Sequence, residues 1–192
     1  MARTDSFFIR ATTLTNGTTY NQSAIDLGSY VDALGKSVLR IHNISVQYGS
    51  PNQAYAGALD TSTSSCFQLT TQSQTEMVTI ANRSVISSGS LAIATGTMGA
   101  GPDGCVTVLN DGLDVSPQDW TDGYLIAVEQ LYLGVDQTFN HVDNVSIVLE
   151  CTVETMTQAA AMALARSQQG GDYLCQLMQN EPRLYEPPQI TS

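Results

Sequence analysis

The residues that could take part in catalysis are few and lie far apart in the sequence. The two histidines are His42, inside an apolar segment, and His141, in the turn-like stretch Phe139–Asp143. Nucleophilic catalysis needs a Ser or Cys beside a positioned base, and no Gly-x-Ser-x-Gly motif surrounds any serine. We therefore interpret His42 as a hydrogen-bonded structural residue and His141 as a surface residue. We expect no catalytic residues and no enzyme activity.

Patterns that would bind a metal ion are equally weak. The sequence has no His-Glu-x-x-His and no Cys-x-x-Cys spacing. Five aspartates lie between Asp103 and Asp122, and carboxylate oxygens are the ligands that Ca²⁺ prefers. Their spacing is not that of an EF-hand, so we favour a solvated acidic loop and keep a calcium site as the alternative. We expect no metal and no cofactor.

Two glutamates in predicted strands, Glu129 and Glu150, are the candidates for the paired carboxylates that glycosidases use. Polar faces of alternating strands carry Glu routinely, so we favour ordinary surface positions for both. The cysteines are also widely spaced, which favours buried reduced thiols in a chain without a signal sequence. One disulfide pair is the alternative, and spacing alone does not select it among Cys66, Cys105, Cys151 and Cys175.

The composition excludes several classes of function. Of 192 residues only 13% are charged, and seven basic residues face 18 acidic ones, for a net charge of −11. Nucleic-acid binding and docking on anionic lipid both need a cationic surface, which no segment supplies. No apolar run approaches the ~20 residues of a membrane-spanning helix, and the first residues lack an apolar signal core. We expect no sequence-specific nucleic-acid binding, no membrane insertion and no signal peptide.

The elements that must position these residues are mostly β-strands, because the apolar residues recur with a period of two. Asn144–Thr155 alternates almost throughout, as a strand with one buried face does. Ser37–Tyr48 and Phe7–Leu14 are further strands, although the centre of Ser37–Tyr48 is apolar on both sides. Shorter candidates between turn sequences are Cys66–Thr71, Glu76–Ala81, Ser90–Ala94 and Cys105–Leu109.

A second long strand is predicted over Tyr124–Asp136. Its apolar parity changes at Glu129-Gln130, which a strand absorbs only with an extra residue or a change of facing partner. We predict a β-bulge at that point. About eight strands at this spacing are typical of a sandwich or a barrel, and we assign residues 1–155 to one such domain.

The character of the chain changes after residue 155. Thr155 and Gln158 fit a capping box, and the Ala-rich stretch Ala159–Gln169 follows as a helix that ends before Gly170-Gly171. A second short helix is predicted over Tyr173–Asn180, so residues 156–180 form two short helices. Residues 181–192 contain three prolines and are predicted to be an extended tail.

In combination, these features resemble the single jelly-roll capsid (coat) proteins of small icosahedral viruses. The most suggestive stretches are Ser37–Tyr48, Tyr124–Asp136 and Asn144–Thr155, followed by Ala159–Gln169. The resemblance is one of pattern and transfers no functional residue. It implies an all-β, eight-stranded antiparallel jelly-roll sandwich with a short helical C-terminal appendage. It also implies a structural protein of the virion that self-assembles into a shell, with other copies of itself as partners.

One departure from that family bears on the partners. Capsid proteins that package single-stranded genomes electrostatically commonly carry a basic arm, whereas this N-terminus offers only Arg3 and Arg10. The resemblance therefore implies that genome charge is neutralised in some other way, for example by another, basic virion protein. A role in surface decoration or in a spike is an alternative within the virion.

The C-terminal segment is the candidate assembly interface. A Pro-rich tail has little core of its own to bury, so we expect it to pack against a surface. We predict that it clamps neighbouring copies together, and docking on its own sandwich is the alternative. The candidate contacts are the apolar side chains Leu174, Leu177, Met178, Leu184 and Tyr185.

The main alternative function is a carbohydrate- or receptor-binding β-sandwich, such as a fibre or spike head or a lectin-like module. It would use the lone Trp120 as a stacking platform and the acidic loops, with or without Ca²⁺. A loop tryptophan that covers one end of the sandwich is the simpler interpretation of Trp120. A cupin-like enzyme ranks third, since it needs a histidine cluster on strands and the two histidines are separated.

Overall fold

The fold is known from a computed structural model, which describes residues 3–32, 36–49, 62–96, 105–109, 119–138 and 144–169. These residues form nine β-strands and one α-helix. The strands are β1 (Phe7–Leu14), β2 (Asn21–Asp26), β3 (Ser37–Tyr48), β4 (Ser62–Thr70), β5 (Val85–Gly96), β6 (Cys105–Leu109), β7 (Asp119–Ile126), β8 (Gln130–Gln137) and β9 (Asn144–Thr155). The helix is α1 (Gln158–Gln169).

Eight of these strands form two four-stranded antiparallel sheets, ordered β1-β9-β3-β7 and β2-β8-β4-β5, and β6 extends the second sheet beside β5. The pairing is nested: β1 pairs with β9, β2 with β8, β3 with β7, and β4 with β5. The pairs β3–β9 and β4–β8 then complete the two sheets. The expected all-β, two-sheet fold is confirmed.

Period-two alternation predicts several strand limits correctly, because one face of each strand is buried. The predicted bounds of β1, β3, β6 and β9 are confirmed, β5 extends beyond its predicted segment at both ends, and β4 begins before its predicted segment and ends one residue earlier, at Thr70. The inward side chains form one core of 18 buried residues among those described. Phe67, Leu131, Leu133 and Leu149 are among its fully buried members. Their burial holds the two sheets face to face.

β3 contains an irregularity that the sequence pattern did not identify. Its register with both neighbours shifts between Ile41 and Asn43, so His42 is the extra residue. The extra residue restores the parity of the strand. Leu39 and Ile41 before it, and Ile44 after it, therefore all face the core. The apolar centre of this strand is one buried face interrupted by a bulge.

The prediction of one long bulged strand over Tyr124–Asp136 is wrong. β7 ends at Ile126 in the four-stranded sheet, and β8 begins at Gln130 in the other sheet. Residues 127–129 cross between the sheets. β7 and β8 lie on opposite sides of the core. A chain that passes from one to the other therefore changes the parity of the residues that face the core. The change of facing partner, rather than a bulge, absorbs the parity flip.

The predicted strand Glu76–Ala81 is also wrong, because residues 71–84 are irregular. This segment lies over the outer face of the second sheet and is held by Gln68, which is fully buried. The Gln68 amide donates to the Glu76 carbonyl at 3.1 Å and accepts from the Val78 N–H at 2.9 Å. The apolar residues of 76–81 therefore belong to a covering loop.

Strand β2 is absent from the sequence-based expectation. It contains only one large apolar residue, Ile25, so its periodicity is too weak to detect. The Asn16-Gly17 turn that precedes it is as expected: Gly17 has a φ of 59°, and the Thr19 N–H donates to the Asn16 carbonyl at 3.1 Å. A left-handed residue of this kind favours glycine.

Helix α1 begins at Gln158, one residue before the predicted Ala159, and ends at Gln169 as predicted, but its N-cap differs from the predicted one. Thr157, rather than Thr155, is the N-cap, since its hydroxyl accepts from the Ala160 N–H at 3.4 Å. Ala161 and Ala165 are buried and pack against Val38 and Ala127. The helix thus covers the outer side of the four-stranded sheet where β3 begins and β7 ends. The second predicted helix, Tyr173–Asn180, and the tail 181–192 lie outside the described residues.

Gln168 fixes the end of this helix to both sheets. Its buried amide donates to the Leu125 carbonyl at 2.7 Å and accepts from the Ala127 N–H at 3.0 Å. Its backbone carbonyl accepts from the Thr71 hydroxyl at 2.9 Å and from the Gln72 amide at 3.0 Å. One residue therefore satisfies buried backbone groups at the crossover from β7 to β8 and also binds the loop after β4.

Candidate functional site

The predicted assembly contacts and the acidic loop lie mostly beyond the part of the chain that the structure describes. The residues concerned are Leu174, Leu177, Met178, Leu184, Tyr185, Asp103, Asp111 and Asp114, and the candidates His141 and Cys175 also lie outside the described residues. The C-terminal clamp therefore stays a prediction, and the calcium site stays an alternative to the solvated acidic loop that we favour. The described surface offers three other features: an exposed strand edge, a charged cluster and a polar cleft.

The exposed edge is that of β1, which has a neighbour on one side only among the described strands. Its outward residues are exposed, and they are Phe8, Arg10, Thr12 and Leu14. Phe8 is 54% exposed and Leu14 is 58% exposed, high values for large apolar side chains. The Arg10 guanidinium lies 5.6 Å from the centre of the Phe8 ring, within cation–π range.

A groove opens beside this edge, between β1 and β2. It has a volume of about 500 Å³ and is lined by both strands together with Tyr30. Tyr30 stacks on Phe7 with ring centres 4.8 Å apart. The groove closes at the C-terminal end of β1, where the Thr13 and Ser23 hydroxyls are hydrogen-bonded and Thr13 also donates to the Leu133 carbonyl at 3.2 Å.

The sequence carries a signal for this surface in the run of apolar residues at the start of β1. β1 begins Phe7-Phe8-Ile9, with large apolar residues at successive positions. In a strand with one buried face, one parity of such a run must point outward. Phe7 and Ile9 pack against the core, and Phe8 is the residue that points outward. Consecutive large apolar residues in a strand thus indicate an exposed apolar residue when the sheet has only one buried face.

The charged cluster lies on the outer side of the four-stranded sheet. Glu154 is only 6% exposed and forms a two-pronged pair with Arg40, with both N–O distances 2.8 Å. Arg3 lies on the other side of the carboxylate, 3.4 Å away. A third Arg40 nitrogen donates to the Asp122 carbonyl of β7. The cluster ties the N-terminal segment, β3, β7 and β9 together.

His42 belongs to the same cluster, in agreement with its interpretation as a hydrogen-bonded structural residue. Its Nε2 lies 3.0 Å from the Thr152 hydroxyl and accepts from Arg3 at 2.6 Å. Burial, and then the charge of Arg3, lower the pKa of His42 below its ordinary value. The hydrogen bonds of Arg40, ahead of its charge, lower the pKa of the Glu154 carboxyl. At neutral pH the cluster therefore holds a neutral imidazole and an ionised carboxylate.

The cleft lies at one end of the sandwich, next to the crossover from β7 to β8. Its volume is about 550 Å³, and Asp26, Glu129, Gln72, Gln130 and Tyr132 are among its lining residues. The Tyr132 hydroxyl donates to Gln130 at 2.9 Å, which orients the ring. Carboxylates and amides beside an aromatic ring can hydrogen-bond and stack on a polar ligand.

The structure separates the two glutamates that were candidates for paired carboxylates. Glu129 lies at this cleft, in the crossover, and Glu150 lies on the outer face of β9. Trp120 is in β7, not in a loop, and is half buried. It packs against the core and lies 5.7 Å from the Tyr124 ring. Tyr132, rather than Trp120, is therefore the aromatic residue at the polar cleft.

The cysteines with described side chains are free thiols, consistent with the favoured interpretation of reduced cysteines. Cys66 is half buried in β4, and Cys151 is fully buried on the core side of β9. Burial raises the pKa of both thiols, that of Cys151 to about 12. Neither is ionised at neutral pH, so neither is an activated nucleophile. The side chains of Cys105 and Cys175 lie outside the described ones.

Within the described ranges, no group of three or more His, Cys, Asp or Glu side chains is placed to bind a metal ion. The described part of the chain also contains no helix with the length and apolar character needed to cross a lipid bilayer. No protein-family model matches the sequence, and no curated protein matches it. The functional proposal therefore rests on the geometry of the chain itself.

Proposed function

We propose that this chain is a virion structural protein, a subunit that self-assembles into an icosahedral shell. The observation that carries the proposal is the nested pairing of β1 with β9, β2 with β8, β3 with β7 and β4 with β5. This nesting supports a jelly roll, the two-sheet fold that viral capsid domains share with lectins and cupins. The choice among these three classes depends on where the molecule offers a functional surface.

The packing between the two sheets favours a function on the outer surface over a cupin-like ligand site between the sheets. A cupin holds its ligand between the sheets, with side chains of the strands around it. Here the space between the sheets is filled by apolar residues of both sheets, among them Ile41, Phe67 and Leu133. The histidine of β3, His42, is on the outer side with Thr152 and Arg3. We therefore place the function on the outside of the sandwich.

The part of the four-stranded sheet's outer face that lies away from the charged cluster and from α1 suits contact with other copies. The outward residues of its central strands include Asn43, Ser45 and Gln47 of β3 and Ser146 and Val148 of β9. Uncharged polar side chains lose less on desolvation than Lys or Glu side chains do. Closed shells form when identical surface patches meet repeatedly under symmetry. The chain as a whole is also poor in charge, since only 13% of its residues are charged.

Electron microscopy of the purified protein, with light scattering for mass, tests the proposal. We expect closed shells or large regular arrays, and the absorbance ratio will report any packaged nucleic acid. Because the sequence offers no basic arm, we expect little nucleic acid unless a basic partner is added. A discrete dimer or trimer under all conditions of salt and pH would contradict a shell built by this protein alone.

The polar cleft supports a second candidate, a carbohydrate- or receptor-binding module. Asp26, Glu129 and Gln130 present hydrogen-bonding groups around Tyr132, an arrangement that suits sugar hydroxyls and the flat face of a sugar ring. Glycan-array binding by wild-type protein, lost in Tyr132→Ala, would support this candidate. Trp120→Ala is the matched control, because Trp120 packs against the core and lies away from the cleft residues. A glycan signal that survives Tyr132→Ala would contradict it.

A further inference from the structure

We propose that the free edge of β1 pairs antiparallel with β1 of a second copy, about a two-fold axis that passes through Ala11. The proposal rests on the self-assembly proposed above and names the surface through which two copies first meet. Three observations carry it: the regularity of this edge, the exposed apolar residues along it, and their positions in the register.

Among the described edge strands, β1 is the one that lacks the usual protection. Natural proteins protect sheet edges with short strands, irregularities, charges or proline. At the other edge of the same sheet, β7 has a broken register with β3 and a left-handed Gly123, with φ of 70°. In the second sheet β2 is six residues long and ends in Asp26, and β6 is five residues long.

β1, which is described along its whole length, has none of these features. It forms eight consecutive pairs with β9, from Phe7 with Cys151 to Leu14 with Asn144, without a register shift. Its sequence, FFIRATTL, contains no Gly, Pro or Lys and only one charged residue, Arg10. A regular, nearly uncharged edge with exposed apolar side chains is a template for another strand.

The residue types select one register. Directly opposed residues in antiparallel strands lie on the same face, so Phe8, Arg10, Thr12 and Leu14 must oppose one another. With the axis at Ala11, Phe8 opposes Leu14 of the second copy, and Arg10 opposes Thr12. Both exposed apolar residues are then covered, and the two arginines are not opposed. A shift that centres the axis on Arg10 opposes like charges and leaves Leu14 uncovered.

The surroundings of the edge agree with this register. The Leu14 carbonyl already accepts from the Asn21 side chain at 2.8 Å, so the part of the edge that is open to a second strand ends before this carbonyl. The groove of about 500 Å³ beside β1 lies along the same segment, from Phe8 to Thr12. A second copy in this position would also cover the groove and Tyr30.

Cysteine cross-linking tests the register. Opposed residues lie about 5 Å apart and diagonal ones about 7–8 Å apart, while a disulfide needs a Cα separation below about 7 Å. A mixture of Phe8→Cys chains and Leu14→Cys chains should form a disulfide between the two introduced thiols under mild oxidation, identified by mass spectrometry. We call this product the 8-to-14 cross-link. Arg10→Cys chains alone should cross-link several-fold less, because the two thiols would be diagonal to each other.

Two outcomes of this experiment would overturn the proposal. Efficient cross-linking of Arg10→Cys chains would place the axis at position 10 rather than at Ala11. Absence of the 8-to-14 cross-link would show that the two edges do not meet in this register.

Light scattering tests the apolar contribution. The double variant Phe8→Ser/Leu14→Ser should shift the smallest soluble species from two chains to one chain of 20.5 kDa. Ile80→Ser is the matched control, since Ile80 is 55% exposed on the loop over the other sheet, and it should leave the dimer unchanged. Unaltered thermal unfolding of each monomer would show that the fold is intact. A double variant that remains dimeric would overturn the proposal.

The two proposals fail separately. Shells that form without the 8-to-14 cross-link would overturn the β1 pairing and leave the virion role standing. Dimers that give this cross-link but never build larger assemblies would support the pairing and contradict the shell. Docking of another segment of the same chain on β1 would also abolish the cross-link, and it would therefore count against the proposal.

Discussion

At the scale of single residues, a buried carboxylate connects four segments of the chain on the outer side of one sheet. Glu154 is almost inaccessible, yet it is ionised, because Arg40 offers it two hydrogen bonds and Arg3 approaches from the other side. A charge removed from water needs such compensation. Arg40 is 114 positions from Glu154 in the sequence, and Arg3 is farther still, so their meeting is a property of the fold.

Glu154→Gln tests this cluster. The lowered pKa of Glu154 means that its charge stabilises the folded state above the ordinary carboxyl range, and this stabilisation is lost as pH falls through the folded-state pKa. We expect a loss of about 1–3 kcal/mol in urea unfolding at neutral pH, and a smaller difference from wild type in acid. Glu150→Gln, on the same strand, is the control. An equal loss at every pH would contradict the role of the charge.

Gly134 is another position at which a contact with a distant part of the chain explains the residue that is present. It lies on β8, opposite Gln68 of β4 and Gln22 of β2, and the ring of Tyr20 lies directly over it. A Cβ atom at this position would lie 2.8 Å from carbon atoms of that ring. The Tyr20 hydroxyl accepts from the buried Gln68 amide at 2.9 Å, which restricts its movement.

Gly134→Ala should therefore destabilise the protein, by about 1–3 kcal/mol, the usual cost of overpacking. Thermal and urea unfolding measure the change. Tyr20→Ala in the same chain should reduce the further cost of Gly134→Ala, because it removes the ring that the new methyl group meets. Additive effects of the two substitutions would contradict a direct contact.

At the scale of elements, two parity changes in the sequence have different structural causes. In β3 the apolar residues change parity at His42, and an extra residue in the strand restores the inward face. Between Ile126 and Leu131 the parity also changes, and there the chain passes from one sheet to the other. Local periodicity shows the same parity change for the bulge and for the crossover. It does not distinguish them, because the difference depends on which strands lie alongside.

Gln168→Leu tests how helix α1 is attached. The substitution keeps most of the side-chain volume but leaves the buried Leu125 carbonyl and Ala127 N–H without their partner. We expect a loss of about 1–3 kcal/mol, the cost of unsatisfied buried polar groups. Hydrogen exchange should increase in residues 125–129 and in α1. Gln169→Leu, at the exposed neighbouring residue, should change neither. Unchanged exchange in Gln168→Leu would contradict the anchoring role.

For the molecule as a whole, the nested strand pairs divide the described surface into a regular edge at β1 and protected edges elsewhere. The C-terminal segment after α1 is a second candidate contact, and Gln169, the last described residue, lines the cleft. Contacts through the β1 edge and through the C-terminal clamp can be tested separately, because they involve different residues of the chain.

Deletion of residues 181–192 tests the clamp. If Leu184 and Tyr185 hold neighbouring copies together, the truncated protein should assemble more weakly, with a higher critical concentration in light scattering. Its circular dichroism and melting temperature should match those of the full chain if the tail holds copies together rather than docking on its own sandwich, because the 18 core residues of the described sandwich all lie outside 181–192. Normal assembly of the truncated protein would show that the tail is not a clamp. The 8-to-14 cross-link should form in either case.

Short-range patterns were enough to predict the all-β character, the limits of β1, β3, β6 and β9, and the helix after residue 155. Alternation over a few residues, Ala-rich composition and turn residues act locally, so they can be read without knowledge of the fold. The low charge likewise follows from composition. For the same reason β2 escaped detection, since Ile25 is its single large apolar residue and gives no period.

How those elements meet depends instead on contacts between distant segments. The crossover at residues 127–129, the bulge at His42, the burial of Glu154 and the exposure of Phe8 each depend on a neighbour far away in the sequence. Local periodicity does not show which strands become neighbours, so it cannot show which edge of the described sheets has no neighbouring strand. The edge at β1 is visible only once the two sheets have formed, because burial and pairing are properties of the assembled sandwich.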